Sequence, residues 1–214
     1  MSETSGDAGS RLNVLLQEAG LPGLEAALAA RFAEYLALLI RWNTRVNLTA
    51  IRDEEGILSR HFVESIGCAR ALPAGISTLL DFGSGGGFPG IPIALCRPEI
   101  AVTLAESQGK KAAFLQEAVR VLGLSTRVHS QRAELLRSHF DCVTLRAVDR
   151  MGRAVHSAAE LVGPGGWLAL MTTGGALEKL KAAAGAGLDW RSTTALPGSD
   201  RLLALAERRL SAPA

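Results

Sequence analysis

A glycine-rich segment after a short apolar run is the strongest chemical signal in the sequence. The apolar run ends at Asp81-Phe82, and Gly83–Gly90 (GSGGGFPG) follows it. Glycine permits positive φ and lets a ligand approach the main chain closely. In an open parallel sheet, the turn that follows a strand lies at the carboxyl edge, where ligands bind. The segment therefore predicts a ligand-binding loop between a first strand and a helix.

Two ligand classes fit the glycine spacing. The pattern G-x-G-x-G from Gly83, preceded by Asp81, is typical of Rossmann-like methyltransferases, whose acidic residue helps to hold the methionine part of S-adenosylmethionine. The pattern G-x-G-x-x-G from Gly85 also matches a dinucleotide loop, but it begins four residues after Asp81. In addition, Pro89 lacks an N–H that could help to cradle a pyrophosphate. The spacing favours the methyl donor, with a dinucleotide or a purely structural turn as alternatives.

The end of the second apolar run supports this interpretation. The run 100–106 ends in Glu106, 23 residues after Gly83, where a carboxylate can accept hydrogen bonds from both ribose hydroxyls. A surface glutamate stabilised by a helix N-terminus is the alternative. Further along the chain, 131–134 (QRAE) and 141–146 (DCVTLR) would flank an adenine and the face where methyl transfer occurs.

The elements that must position these residues alternate between strand and helix. Strands are predicted at 76–82, 100–106, 126–130, 141–147 and 166–172. Helices are predicted near 88–96, 108–122, 150–162 and 175–184. Two last runs, 189–196 and 201–209, fit an antiparallel hairpin at the sheet edge. This alternation predicts an α/β fold with a doubly wound, mostly parallel sheet.

The first third of the chain has a helical pattern instead. Apolar residues recur at three- and four-residue spacing up to about Trp42, and Asp53 is placed to cap a further helix that continues to about Ala71. We expect residues 1–10, which are polar, to be disordered. We expect residues 11–72 to form a helical region packed on the sheet and residues 73–214 to form the ligand-binding domain.

Composition limits the class of protein. The chain has 214 residues, 48% of them hydrophobic, and a net charge of +2, which excludes dominant disorder. It has no apolar run long enough for a membrane span and no basic and apolar start typical of secretion, so we expect a cytoplasmic protein.

The three cysteines are far apart and predict neither a disulfide nor a metal site. Of the 23 basic residues 19 are arginine, which suits phosphate binding, although a GC-rich genome would produce the same bias.

From about Tyr35 to Glu178 the sequence resembles the ribosomal RNA small subunit methyltransferase G family, also called the glucose-inhibited division protein B family. The Gly-Phe-Pro-Gly-Ile-Pro extension of the glycine loop is the most specific part of the match. The matching segments are Trp42-Asn43, Asn47-Leu48-Thr49, Arg60-His61-Phe62-Val63-Glu64-Ser65, Asp81 to Pro92, Lys110-Lys111, Phe114-Leu115, Arg132-Ala133-Glu134, Phe140-Asp141 and Arg146-Ala147. There are two departures: Thr172-Thr173-Gly174 stands where the family commonly has Lys-Gly, and Glu64 stands where it usually has Asp.

The resemblance implies a class I methyltransferase fold with an N-terminal helical extension. It also implies transfer of a methyl group from S-adenosylmethionine to N7 of a guanosine in the decoding-region loop of 16S rRNA. The expected partner is the small ribosomal subunit or its assembly intermediate, the expected state is a monomer, and no membrane or metal is involved. The residues predicted to bind S-adenosylmethionine are Asp81, Gly83, Ser84, Gly85, Phe88, Glu106, Ser107, Gln108, Ala133, Glu134 and Arg146.

N7 of guanine has a lone pair and no proton, so its methylation requires alignment of the two reactants more than a general base. Arg146 and His61 are the candidate catalytic residues, with a purely packing role as the alternative for His61. Positively charged residues near the strand ends predict a basic rim that faces RNA phosphates, although each of them alone fits a solvated surface. The predicted basic rim consists of Arg60, Lys110, Lys111, Arg132, Arg150 and Arg153.

Two other functions remain open from the sequence. One is a Rossmann NAD(P) oxidoreductase, which would use the second glycine pattern. The other is a catalytically weak protein that binds S-adenosylmethionine and RNA, as the absence of the family's Lys-Gly would allow.

Overall fold

A computed structural model describes residues 3–210, which form nine helical segments and seven strands. The helices are α1 (Glu3–Glu18), α2 (Ala26–Asn43), α3 (Glu54–Ile57), a π-helical segment (Leu58–Val63), α4 (Glu64–Ala71), α5 (Gly90–Cys96), α6 (Gly109–Val121), α7 (Met151–Leu161) and α8 (Gly174–Ala184). The strands are β1 (Thr78–Phe82), β2 (Ala101–Ala105), β3 (Arg127–His129), β4 (Phe140–Arg146), β5 (Val162–Thr173), β6 (Leu188–Ala195) and β7 (Arg201–Arg208). A short 3₁₀ turn covers Ala133–Leu135.

The strands form one sheet in the order β3-β2-β1-β4-β5-β7-β6. The first five strands in the chain pair in parallel, and β7 is antiparallel to both β5 and β6. The predicted α/β fold and the final hairpin are therefore confirmed. The chain turns back across the sheet between β1 and β4, which places the carboxyl ends of β1, β2 and β4 side by side. In open α/β sheets this is the position of the ligand-binding crevice.

Successive residues of β1 enter two apolar cores, one on each face of the sheet. Leu79 of β1 lies in the core shared with α1, α2, the π-helical segment, α4, α5 and α6. The next residue, Leu80, lies in the core shared with α7 and α8. Successive side chains of a strand point to opposite faces, so one short strand supports both layers. The N-terminal helices thus share a core with the sheet.

Several elements differ in extent from the sequence prediction. Helix α1 begins at Glu3, inside the stretch 1–10 that composition predicts to be disordered, and Ala8 and Gly9 pack against the first core and against Ala29 of α2. Strand β5 begins at Val162 instead of 166, because Val162 pairs with Phe140 across a bulge. Helix α5 begins at Gly90 instead of 88, since the glycine loop occupies the chain through Pro89. No helix within residues 3–210 is long and apolar enough to cross a membrane.

The shared core predicts that the N-terminal helices and the sheet unfold together. Phe32 of α2 is fully buried, and its ring centroid lies 5.4 Å from that of Phe62. We expect Phe32→Ala to lower the free energy of unfolding by about 3–5 kcal/mol in a single urea transition followed by circular dichroism and tryptophan fluorescence. Val14→Ala, at a position that is 41% exposed, should have little effect. Two separate transitions would show that the helical region is an independent unit.

Candidate active site

The glycine loop is held to the end of β2 by its own backbone. The N–H groups of Gly83 and Ser84 both donate to the carbonyl of Ala105, at 3.0 and 2.9 Å. Gly87 has φ +91°, and a Cβ at this position would lie 2.7 Å from the hydroxyl of Tyr35. The loop can therefore make its turn against helix α2 only with glycine at this position.

Asp81 supports the loop from beneath. Its Oδ2 accepts a hydrogen bond from the Gly90 N–H at 3.2 Å, and its Oδ1 accepts one from the Thr144 hydroxyl at 3.0 Å. The carboxyl group thereby joins β1, β4 and the start of α5. Burial raises the pKa of Asp81 to about 6. The sequence placed Asp81 against the ligand, whereas the structure turns its side chain away from the cleft, because alternate residues of β1 face the α5 layer.

Glu106 links the loop to the turn after β2. Its Oε2 accepts a hydrogen bond from the Gly85 N–H at 3.0 Å, and its Oε1 accepts one from the Gln108 N–H at 2.7 Å. Each carboxylate oxygen can accept a second hydrogen bond. The side chain is thus fixed at the end of β2 and keeps acceptor capacity for a ligand hydroxyl.

A cleft of about 910 Å³ opens at the carboxyl ends of β1, β2 and β4. This volume lies within the usual range for small-molecule sites. All the residues predicted to bind the cofactor line this cleft except Asp81. Those that line it are Gly83, Ser84, Gly85, Phe88, Glu106, Ser107, Gln108, Ala133, Glu134 and Arg146.

Arg146, the last residue of β4, forms a buried ion pair with α4. Its Nη2 donates to Glu64 Oε2 at 2.7 Å and to the carbonyl oxygen of Arg60 at 2.7 Å. Burial lowers the pKa of Arg146, and the carboxylate of Glu64 opposes this effect. Nη1 of Arg146 and Oε1 of Glu64 are buried and have no hydrogen-bond partner among residues 3–210. An arginine at the end of a buried strand requires a buried acid as its partner. The sequence indicated this requirement for Arg146 but did not identify Glu64 as the acid.

Both ring nitrogens of His61 have a polar neighbour. Nδ1 lies 2.9 Å from Nη2 of Arg146, whose guanidinium can only donate, and Nε2 lies 2.6 Å from the Thr49 hydroxyl. These contacts favour the neutral tautomer that is protonated at Nε2. The ring stacks on Phe88 at a centroid distance of 4.7 Å. Burial and the charge of Arg146 lower the pKa of His61 to about 3. Since both nitrogens are occupied, His61 fits a positioning role better than that of a general base.

The predicted basic rim divides into two groups. Lys110 faces a second, smaller pocket beside Arg41 and Arg45. Arg201, which no sequence pattern singles out, lines the cleft from the start of β7, and its Nε lies 3.8 Å from Glu64 Oε2. The rim residues that line the cleft are Arg60, Lys111, Arg132, Arg150 and Arg153. Within the described part of the chain, no three histidine, cysteine or acidic side chains converge as a metal site.

This strand order, with a glycine loop after β1 and an acidic residue after β2, defines the class I methyltransferase fold. Among solved structures, a predicted O-methyltransferase from Agrobacterium tumefaciens has a TM-score of 0.56 at 19% identity and covers 69% of this chain and 83% of its own. A Thermus thermophilus 16S rRNA methyltransferase, solved with AdoMet and guanosine, has a TM-score of 0.53 at 20% identity, with 71% of this chain and 40% of its own covered. These similarities establish the fold.

The chain belongs to the rRNA small subunit methyltransferase G family, whose model matches residues 19–186. A curated relative is the ribosomal RNA small subunit methyltransferase G of Stenotrophomonas maltophilia. It is 47% identical over 152 residues, which cover 70% of this chain and 71% of the relative. The resemblance stated from the motifs is thus confirmed.

The buried carboxyl group of Asp81 predicts a specific dependence of stability on pH. Its pKa is about 6 in the folded protein and about 3.8 when unfolded, so the protonated form favours folding. This contribution is complete below pH 3.8 and is lost as the pH rises through 6. We expect the free energy of unfolding of the wild type, relative to Asp81→Asn, to fall by up to about 3 kcal/mol from pH 4 to pH 7. Urea unfolding of both proteins at each pH measures it, and a difference that does not change with pH contradicts it.

Proposed function

We propose that this protein transfers a methyl group from S-adenosylmethionine to N7 of a guanosine in the 16S rRNA of the small ribosomal subunit. The observation that carries the proposal is a cleft with a fixed carboxylate at Glu106 and a basic rim, in which His61, the one histidine among the described residues that line it, has a polar neighbour at each ring nitrogen. Such a site suits a nucleophile that needs no deprotonation. Membership of the family supports the substrate class.

The residues of the cleft fit S-adenosylmethionine. The remaining acceptor capacity of Glu106 suits two ribose hydroxyls, and Ala133 and Glu134 follow β3, where an adenine would lie. On the wall of the cleft opposite Glu106, the unpartnered Nη1 of Arg146 could donate a hydrogen bond to an oxygen atom of the ligand. Gly83 and Gly85 have positive φ, which favours glycine, so the loop carries no side chain at these two positions of the cleft wall. When bound, S-adenosylmethionine supplies a methyl group on a positively charged sulfur.

The protein contributes alignment and a suitable electrostatic environment. N7 of guanine attacks with its in-plane lone pair, and the base becomes positively charged as the methyl group arrives. A lone buried guanidinium beside this base would oppose that charge. Glu64, which is fully buried, places its carboxylate 2.7 Å from Arg146 and 3.8 Å from Arg201. The carboxylate of Glu64 therefore offsets part of the positive charge that Arg146 and Arg201 bring to the floor of the cleft.

The structure argues against the dinucleotide alternative. The Gly90 N–H, which begins α5, donates to the Asp81 carboxyl group. A pyrophosphate would need that helix N-terminus, which the protein's own acidic group already occupies.

The alternative of a catalytically weak binding protein rests on the absence of the family's Lys-Gly after β5. Of the two threonines there, Thr172 is buried in β5 and pairs with Leu202 of β7, whereas Thr173 is exposed but carries no charge. The function must therefore rely on the other cleft residues.

The remaining parts of the proposal concern the oligomeric state, the location in the cell and the form of the RNA substrate. We infer that the protein acts as a monomer in the cytoplasm on the RNA of the small subunit or of its assembly intermediate. The basic residues along the cleft support contact with a phosphate backbone. The guanosine would have to leave its stack in the RNA to enter the cleft.

Identification of the methylated atom tests the proposed function. Small subunits that lack the modification are incubated with the protein and S-adenosylmethionine, and the 16S rRNA is digested and analysed by mass spectrometry. We expect 7-methylguanosine at one position. RNA that carries 7-deazaguanosine at this position should remain unmethylated, because a carbon replaces the nucleophile. Methylation of another atom, or none by a protein that binds S-adenosylmethionine, contradicts the proposal.

The assignment of Glu106 is tested by binding. Removing its carboxylate should cost about 1–3 kcal/mol, so Glu106→Ala should weaken S-adenosylmethionine binding by roughly 5- to 150-fold in isothermal titration calorimetry. Glu106→Gln retains one oxygen acceptor and should lose less. Glu160→Gln, an exposed position on α7, is the control for the loss of one negative charge. Equal affinities for the three variants and the wild type would mean that the ribose is held elsewhere.

A further inference from the structure

A second pocket lies beside the cleft, between the end of α2 and the start of α6. We call it the Trp42 groove. Its volume is about 410 Å³, and it is lined by Arg41, Trp42, Arg45, Val46, Lys110 and Glu117. Three cations and one carboxylate give it a formal charge of +2. An aromatic ring among cations is the composition with which proteins bind single-stranded nucleic acid.

One carboxylate organises this groove. Glu117 Oε1 accepts a hydrogen bond from Arg41 Nη2 at 2.6 Å, and its Oε2 accepts one from Trp42 Nε1 at 3.1 Å. The indole is also held against Phe114, at 5.8 Å between ring centroids and an interplanar angle of 64°. The aromatic surface is therefore fixed before any ligand arrives, which lowers the entropic cost of binding.

Two cations of the groove remain available. The carboxylate of Glu117 is committed to Arg41 and Trp42. The side chains of Arg45 and Lys110 are exposed and form no ion pair or hydrogen bond with any other described residue. Their charges are thus free to bind anionic groups from outside the protein.

The Trp42 groove adjoins the cleft along two segments of the chain. Lys110 lines the groove and Lys111 lines the cleft. Likewise, Val46 lines the groove and Leu48 lines the cleft. Successive helix residues point about 100° apart, so the two lysines lie on the ridge that separates the two pockets. A polymer with a negative charge on each unit could cross this ridge from one pocket to the other.

We propose that the Trp42 groove binds a single-stranded nucleotide adjacent to the target guanosine, with phosphates at Arg45 and Lys110 and a base or ribose against Trp42. The inference rests on the proposed function of the cleft, because an RNA strand must already be anchored there. It adds an RNA-binding subsite, away from the cleft, in which the partly exposed ring of Trp42 and two free cations act together.

The test compares two double variants that remove the same charge. Arg45→Ala/Lys110→Ala removes the free cations of the groove. Arg120→Ala/Arg127→Ala removes two exposed arginines at the amino edge of the sheet, outside both pockets. Affinity is measured for a naked RNA fragment that contains the target guanosine, at several salt concentrations, together with the affinity for S-adenosylmethionine.

We expect the groove variant to bind RNA at least about tenfold more weakly at about 0.1 M salt, with a log–log salt slope that is less steep by about 0.7 for each lost phosphate contact. Its affinity for S-adenosylmethionine should equal that of the wild type, which also verifies its fold. The control variant should stay within about twofold of the wild type. In addition, RNA should quench tryptophan fluorescence in the wild type and much less in Trp42→Phe, since Trp167 and Trp190 lie outside the groove.

Two results would overturn the inference. One is equal RNA affinity and equal salt slope for the two double variants. The other is an unchanged affinity for naked RNA with impaired methylation of whole subunits, which would indicate that the groove contacts a protein. Neither result bears on the cleft, whose proposed function is tested by methylation with the wild type alone.

Discussion

The buried ion pair between Glu64 and Arg146 is the interaction on which the site depends. The Glu64 side chain is fully buried and that of Arg146 is 5% exposed, so neither charge can be compensated by water. Loss of Glu64 would leave the buried guanidinium of Arg146 without its carboxylate, at a cost of about 3–5 kcal/mol. The pair joins the end of β4 to the start of α4. It also places the guanidinium that contacts Nδ1 of His61, and His61 in turn stacks on Phe88 at the cleft.

The N-terminal helices also belong to the active site through their contacts with the glycine loop. The Tyr35 hydroxyl donates to the carbonyl of Gly86, and the rings of Tyr35, Phe62 and Phe88 lie 5.2–5.7 Å apart. The shape of the glycine loop is therefore set from two sides, by β2 beneath it and by the aromatic residues of the helical layer. The family match spans both parts of the chain, as this shared packing requires.

The sequence predicted those features that follow from local spacing. The glycine loop and Glu106 end consecutive strands, and parallel topology alone brings such ends together. The spacing of residues along the chain did not predict which way individual side chains point. Asp81 lies on the side of β1 that faces α5, and Lys110 and Lys111 diverge because a helix separates neighbouring residues by about 100°. Arg201 could not be predicted, because it reaches Glu64 only through the hairpin that returns β7 to the sheet.

We propose that this site works by alignment and charge compensation, without transfer of a proton from the substrate to the protein. The single-turnover rate of methyl transfer, measured with both substrates saturating from pH 6 to pH 8, tests this mechanism. The rate should vary by no more than about twofold, because His61, with a pKa of about 3, stays neutral throughout. A tenfold rise per pH unit that levels off near pH 6.5–7 would show a general base at work and would refute methyl transfer by alignment alone.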